Sequence, residues 1–147
     1  MNLPYDFDYY LKRGIVRKKQ PNFSRAEFLL KEAGKSLIGL NERINKIGIN
    51  EFNSNSIIKD AHDILIQSVR AEMLLDGLEA SGNFAHEAEI AYMKKLNISN
   101  ADIIQANEIR QARNGINYYG KIFDVEYAKK TVRLMKNILK GLSGLRR

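Results

Sequence analysis

Only two prolines occur in the 147 residues, Pro4 and Pro21. Proline lacks the backbone N–H and its ring clashes with the preceding helical turn, so the chain beyond residue 21 is free of the strongest helix breaker. Apolar residues there recur every three to four positions, the period of a helix with one buried face. These features predict an all-α fold, an antiparallel up-and-down bundle of four to five helices. Its length suits one core, so residues 1–147 are expected to form a single helical domain, with 1–22 an aromatic and basic arm packed on the bundle.

Local signals set the expected helix limits. Ser24-Arg25-Ala26-Glu27 reads as a capping box, with Phe23 and Phe28 placed as a hydrophobic staple, and opens a helix that runs toward Gly48. After the polar stretch Asn50 to Asn55, a second helix is expected from about Ser56 to Ala80, stopped by Ser81-Gly82. Its face made by Ile57, Ala61, Ile64, Leu65 and Leu75 also carries Ser68 and Glu72. A third helix is expected over Ala85 to Leu96, a fourth from Ser99 to about Tyr119, and a last one after Asp124 that frays in Gly141-Leu142-Ser143-Gly144. Short connections predict antiparallel neighbours.

Composition narrows the chemistry. The chain has no cysteine and only two histidines, so disulfides, thiolate nucleophiles and cysteine-rich metal sites are excluded. Neither His62 nor His86 has the Glu-x-x-His spacing of carboxylate-bridged metal bundles, and neither metal nor cofactor is expected. No apolar run approaches the roughly 20 residues of a membrane helix, and the opening residues lack the pattern of a signal peptide, so a cytoplasmic protein without membrane contact is expected. The net charge of +7 is uneven: residues 1–25 carry six Lys/Arg against two acids, 26–119 ten against thirteen, and 120–147 eight against two. Basic ends can attract a phosphate backbone or an acidic protein, or can serve solubility alone. Tyr5, Phe7, Tyr9 and Tyr10 precede Lys12-Arg13 and Arg17-Lys18-Lys19, a combination suited to stacking bases or to covering the bundle's apolar surface.

The most unusual stretch is Arg110-Gln111-Ala112-Arg113-Asn114-Gly115-Ile116-Asn117-Tyr118-Tyr119. On a helical wheel Arg110, Arg113, Asn114 and Asn117 form one stripe and Ile109, Ala112, Ile116 and Tyr119 the opposite one. Arginine presents a planar fork matched to phosphate or carboxylate, and asparagine can orient a hydroxyl or a base edge. The stripe reads equally as a ligand site or as one arginine paired with Glu72. Glu72 stands on an apolar face and needs a cationic partner, because an isolated buried charge is costly. His86 is expected near the start of the third helix, close to solvent. There is no Gly-rich phosphate loop and no Ser-x-Gly elbow.

Taken together, Leu11 to Ile15 with Pro21, Ala61-His62-Asp63 through Val69 to Gly77, His86, and Arg113-Asn114-Gly115-Ile116-Asn117-Tyr118 resemble the HEPN superfamily of small prokaryotic helical domains, often encoded beside minimal nucleotidyltransferases. The last run is similar to that family's Arg-Asn-x-x-x-His motif, with Tyr118 in the histidine position. The resemblance implies a homodimer, a nucleotidyltransferase partner in a toxin–antitoxin setting, and, in ribonuclease members, metal-independent RNA cleavage by the motif's arginine and histidine. A phenol of pKa near 10 is a poor proton shuttle beside an imidazole near 6.5. The expected function is therefore a module of weak or absent catalysis that binds a nucleotide, RNA or a nucleotidyltransferase through Arg110, Arg113, Asn114, Asn117 and Tyr118, with Glu72 and His86 in support. Two alternatives stand beside it: an active metal-independent endoribonuclease using Arg113 with Tyr118 or His86, and a structural adaptor for protein partners.

Overall fold

A computed structural model describes residues 3–145. The chain is all-α apart from one short ribbon. Its elements are α1 (Phe7–Lys12), β1 (Val16–Lys18), α2 (Phe23–Ile47), α3 (Ser54–Leu75), β2 (Leu78–Ala80), α4 (Ala85–Tyr92) continued by a 3-10 turn (Met93–Leu96), α5 (Asn100–Tyr119) and α6 (Val125–Gly144). Six α-helices are thus present among the described residues, two of them short, and no helix there is long and apolar enough to cross a membrane.

Helix α3 forms the axis of the bundle. Fourteen of its 22 residues are buried, too many for one stripe, because α2, α4, α5 and α6 all pack against it. Ser68 and Glu72 lie buried on it, as their place on the apolar face requires; the Ser68 hydroxyl is satisfied by the Ile64 carbonyl at 2.9 Å. Helices α2 and α3 run antiparallel: Arg43, late in α2, pairs with Asp60, early in α3, while Ala26 and Leu29 at the other end pack with Ala71 and Leu74.

Several helix limits differ from expectation, two of them for reasons visible in the packing. The cap of α2 is Asn22, whose Oδ1 accepts from Arg25 N at 3.0 Å, and not Ser24. Asparagine caps as well as serine, and it comes first after Pro21. Phe23 and Phe28 are largely exposed, so they form no buried staple. The larger correction concerns α3, which stops at Leu75 rather than Ala80. Gly77 takes a φ of +71°, and a Cβ there would lie 2.4 Å from the Lys19 carbonyl oxygen. This left-handed turn sends Leu78–Ala80 into an antiparallel ribbon with β1, in which Val16 faces Ala80 and Lys18 faces Leu78. Lys19 N donates to Gly77 O at 2.7 Å, closing the ribbon.

The remaining boundaries follow their caps. Ser99 Oγ accepts from Asp102 N at the start of α5, and Asp124 Oδ1 from Tyr127 N at the start of α6. Helix α6 continues through the Gly141–Gly144 stretch expected to fray. Between these helices, Asn55 donates to Lys121 O and accepts from Phe123 N, both at 2.9 Å, fastening the α5–α6 loop to the start of α3. The N-terminal aromatics divide: Phe7 and Tyr10 are buried, Phe7 edge-on to Tyr92, whereas Tyr5 stacks outside on Tyr9, which also carries the Arg13 guanidinium.

Candidate functional site

Where α3, α4 and α5 meet, charged side chains converge at the edge of the apolar core, with His62 and Glu89 buried and Asp63, Arg70 and His86 partly in water. From α3 come His62, Asp63 and Arg70; Asp63 and Arg70 are seven residues apart and so share a face. From the first turns of α4 come His86 and Glu89, on one face by their spacing of three. From α5 come Arg110 and Arg113, also three apart.

Glu89 organises one half of the cluster. Its side chain is 1 % exposed, and it accepts from Arg70 Nε at 2.6 Å, Arg70 Nη2 at 3.2 Å and His86 Nδ1 at 2.9 Å. Burial alone would raise the pKa of this carboxyl, but the His86 and Arg70 hydrogen bonds and the Arg70 charge hold it below the ordinary value. The Arg70 guanidinium, held by Glu89 against the cost of burial, is raised in turn.

The other half centres on Asp63. Its Oδ1 lies 3.3 Å from His62 Nδ1 and 3.4 Å from Arg113 Nε. The His62 ring is 1 % exposed, its Nε2 has no hydrogen-bond partner, and it stands edge-on to His86 with ring centres 5.9 Å apart. Burial pushes the His62 pKa down; Asp63 opposes this, while Arg113 and His86 add to it. Burial acts to raise Asp63, yet its contact with His62 and the charges of His62, Arg113 and His86 bring it below the usual range. Arg113 Nε is within ion-pair reach of Asp63 but buried without a hydrogen bond, a donor held next to a carboxylate and not satisfied by it.

Beside this cluster Arg110 donates from Nε to Asn107 Oδ1 at 2.9 Å, and its Nη2 is 3.8 Å from Glu87. The buried Tyr10 hydroxyl from α1 faces the same carboxylate; burial first and the Glu87 charge second raise its pKa well above 10. A groove of about 490 Å³ between α2 and α3 opens next to Asp63, lined also by Ser36, Gly39, Arg43, Asp60 and Gln67. Among the described residues no group of three His, Asp or Glu side chains is placed to hold a metal ion.

Of the residues singled out in the sequence, Arg113 and His86 lie in the cluster and Arg110 beside it. Asn114 is half-buried on the same helix. Asn117 and Tyr118 are exposed, Tyr118 by 73 %, and at roughly 100° per residue Tyr118 lies about 140° around α5 from Arg113. Tyr119, read as part of the apolar stripe, is also exposed, because α5 has run past the bundle by its last turn. Glu72 lies nine residues beyond Asp63 along α3, roughly 13 Å by the helical rise of 1.5 Å per residue. Sequence reasoning gave no site role to His62, Asp63 and Arg70, which it named only for the family resemblance and for the missing metal spacing, and it did not single out Glu89. Their signal was charge at helical spacing inside apolar segments, whose pairing across helices no single segment reveals.

No family model matches the chain, and neither characterised proteins nor solved structures include a significant match.

Proposed function

We propose that this chain is a HEPN-like module that binds a phosphate of a nucleotide or RNA strand at Arg113, as a homodimer and with weak or no catalysis of its own. The observation that carries the reading is the state of Arg113. Its guanidinium reaches the α3–α5 boundary, and its Nε is withheld from water without being hydrogen-bonded. A phosphate oxygen would satisfy that donor with a charge-assisted bond, stronger than the loose contact with Asp63. Asn114 and Asn117, on the same helix, supply further donors along the path of a strand. The exposed Tyr118 and Tyr119 offer ring faces at the end of α5 for stacking on bases.

The test is binding of a short labelled oligouridylate, without metal and at two salt concentrations, to the wild type and to Arg113→Ala. Loss of one charge-assisted contact should weaken binding roughly tenfold, about 1.4 kcal/mol. Equal affinity of the two proteins defeats the reading and directs attention to a nucleotidyltransferase or other protein partner. Gel filtration under the same conditions checks the dimer.

A second reading is favoured by one feature, the half-exposed His86. Its Nδ1 is oriented by the buried Glu89 and its ring lies next to His62, which leaves Nε2 available for proton transfer. With Arg113 in the same cluster, a metal-independent ribonuclease has an imidazole in reach that does not depend on Tyr118. Accumulation of a 2′,3′-cyclic phosphate product without metal, abolished by His86→Gln, would promote this reading over the first.

A further inference from the structure

One oxygen atom in the cluster serves two nitrogen atoms. Asp63 Oδ1 is the contact of both His62 Nδ1, at 3.3 Å, and Arg113 Nε, at 3.4 Å, and neither distance is short for a charge-assisted bond. The two nitrogens differ in freedom. His62 is buried in the core on α3, 1 % exposed. Arg113 carries a long, flexible side chain that is 22 % exposed although its Nε is buried, and the carboxylate it meets is 56 % exposed, so the guanidinium reaches a ligand by turning outward past Asp63. The arrangement neutralises the guanidinium without saturating its donors.

We infer that Asp63 is a built-in competitor for the Arg113 anion site: its carboxylate holds the guanidinium while no ligand is bound, and an incoming phosphate must draw Arg113 away from it. The inference rests on the reading of Arg113 as a phosphate-binding residue and adds what limits that binding. His62 then keeps the carboxylate in place as Arg113 turns to the ligand, so Asp63 remains a negative charge at the edge of the site. The groove between α2 and α3, into which Asp63 and Asp60 both face, lets water solvate that charge once Arg113 has left. A weakly charged anion gains little by the exchange. A strand with several phosphates gains more, because neighbouring phosphates can meet the Asn114 and Asn117 amides farther along α5 while one of them takes Arg113. Asp63 is in this sense a specificity-determining residue that acts through Arg113.

The experiment uses the full chain and the same oligouridylate probe. Removing an opposing charge at a half-exposed ion pair is worth at most about fivefold, so Asp63→Asn should bind about three- to fivefold more tightly than the wild type. Asp63→Glu, which keeps the charge, should show no such gain. In the Arg113→Ala background Asp63→Asn should give no gain either, since the two residues form one unit in a double-mutant cycle. A merely structural role would lower affinity, the opposite sign. Should Asp63→Asn lose its fold, seen as a lowered melting temperature, Asp63→Ser at the same exposed position provides the neutral comparison. Three results overturn the inference: unchanged or weaker binding by the neutral variant, a gain by Asp63→Glu as large as that by Asp63→Asn, or a gain that persists without Arg113. If Arg113→Ala alone leaves affinity unchanged, it is the phosphate-binding reading that has failed.

Discussion

Replacing Glu89 by glutamine tests whether the charge cluster holds α3 to α4. The substitution keeps the shape of the side chain and removes its charge, leaving the Arg70 guanidinium without the carboxylate that now contacts it at 2.6 and 3.2 Å, and His86 without its acceptor charge at 2.9 Å. Removing one partner from a buried ion pair typically costs 3–5 kcal/mol, roughly. Arg70 and His86 keep about a third or more of their side-chain surface in water and can be rehydrated, so the cost falls at or just below the lower end. We expect a loss of about 2–3 kcal/mol at pH 7, measured by urea denaturation, from a total that for a domain is only about 5–15 kcal/mol. At this chain length it corresponds to a melting temperature lower by about 5–10 °C.

The same variant has a pH signature. The folded-state pKa of Glu89 lies below the ordinary 4.5, so its stabilisation is complete above about that pH and is lost as pH falls through the folded value. The gap between wild type and Glu89→Gln should therefore narrow in acid. A difference under about 0.5 kcal/mol at neutral pH, the range of an ordinary surface substitution, or a gap that does not change on acidification, would refute the view that this carboxylate is ionised and holds the cluster.

Gly77→Ala should destabilise the protein by about 2–4 kcal/mol, since the new Cβ meets both a left-handed φ and the backbone oxygen of Lys19 at 2.4 Å. Hydrogen exchange at the Lys19 amide should rise with it, and a neutral result would mean that the ribbon adjusts freely. His62 is held neutral by burial, so its folded-state pKa lies below 6.5; the unfolded chain then takes up more protons, and stability falls as pH drops from about 6.5 toward the folded value. An NMR titration in which the His62 ring protonates at or above 6.5 would contradict this assignment.

The starts of α5 and α6 could be read from local sequence, whereas that of α2 offered both Asn22 and Ser24 as caps. Ser99 and Asp124 accept from the backbone three residues on, and α5 and α6 begin where these residues place them. The end of α3 could not be read that way, because Leu75, Leu78 and Ala80 continue an apolar pattern that suits a helix as well as a strand. What decides between the two is the Lys19 carbonyl against Gly77, from a segment more than fifty residues earlier in the chain. The candidate site divides in the same manner. Arg113 was visible because arginine and asparagine on one stripe are unusual within a single segment. Asp63, Arg70 and Glu89 each look like ordinary surface charges in their own helices, and their meaning comes from α3, α4 and α5 sharing one boundary. Tyr118 stands apart from Arg113 on the helix, about 140° around it, so the two serve one ligand only where that ligand is long enough to reach both.

The ribbon that pairs Val16 with Ala80 sets a schedule for the newborn chain. The N-terminal segment leaves the ribosome first, yet its strand has nothing to pair with until residue 80 has emerged, well after α2 and much of α3 can associate through their nearer contacts. Tyr10 and Phe7 must remain in water for that interval. Lys12, Arg13, Arg17, Lys18 and Lys19 lie between these aromatics and Pro21, so the stretch after Tyr10 carries charge of one sign, the composition that opposes aggregation of exposed apolar residues.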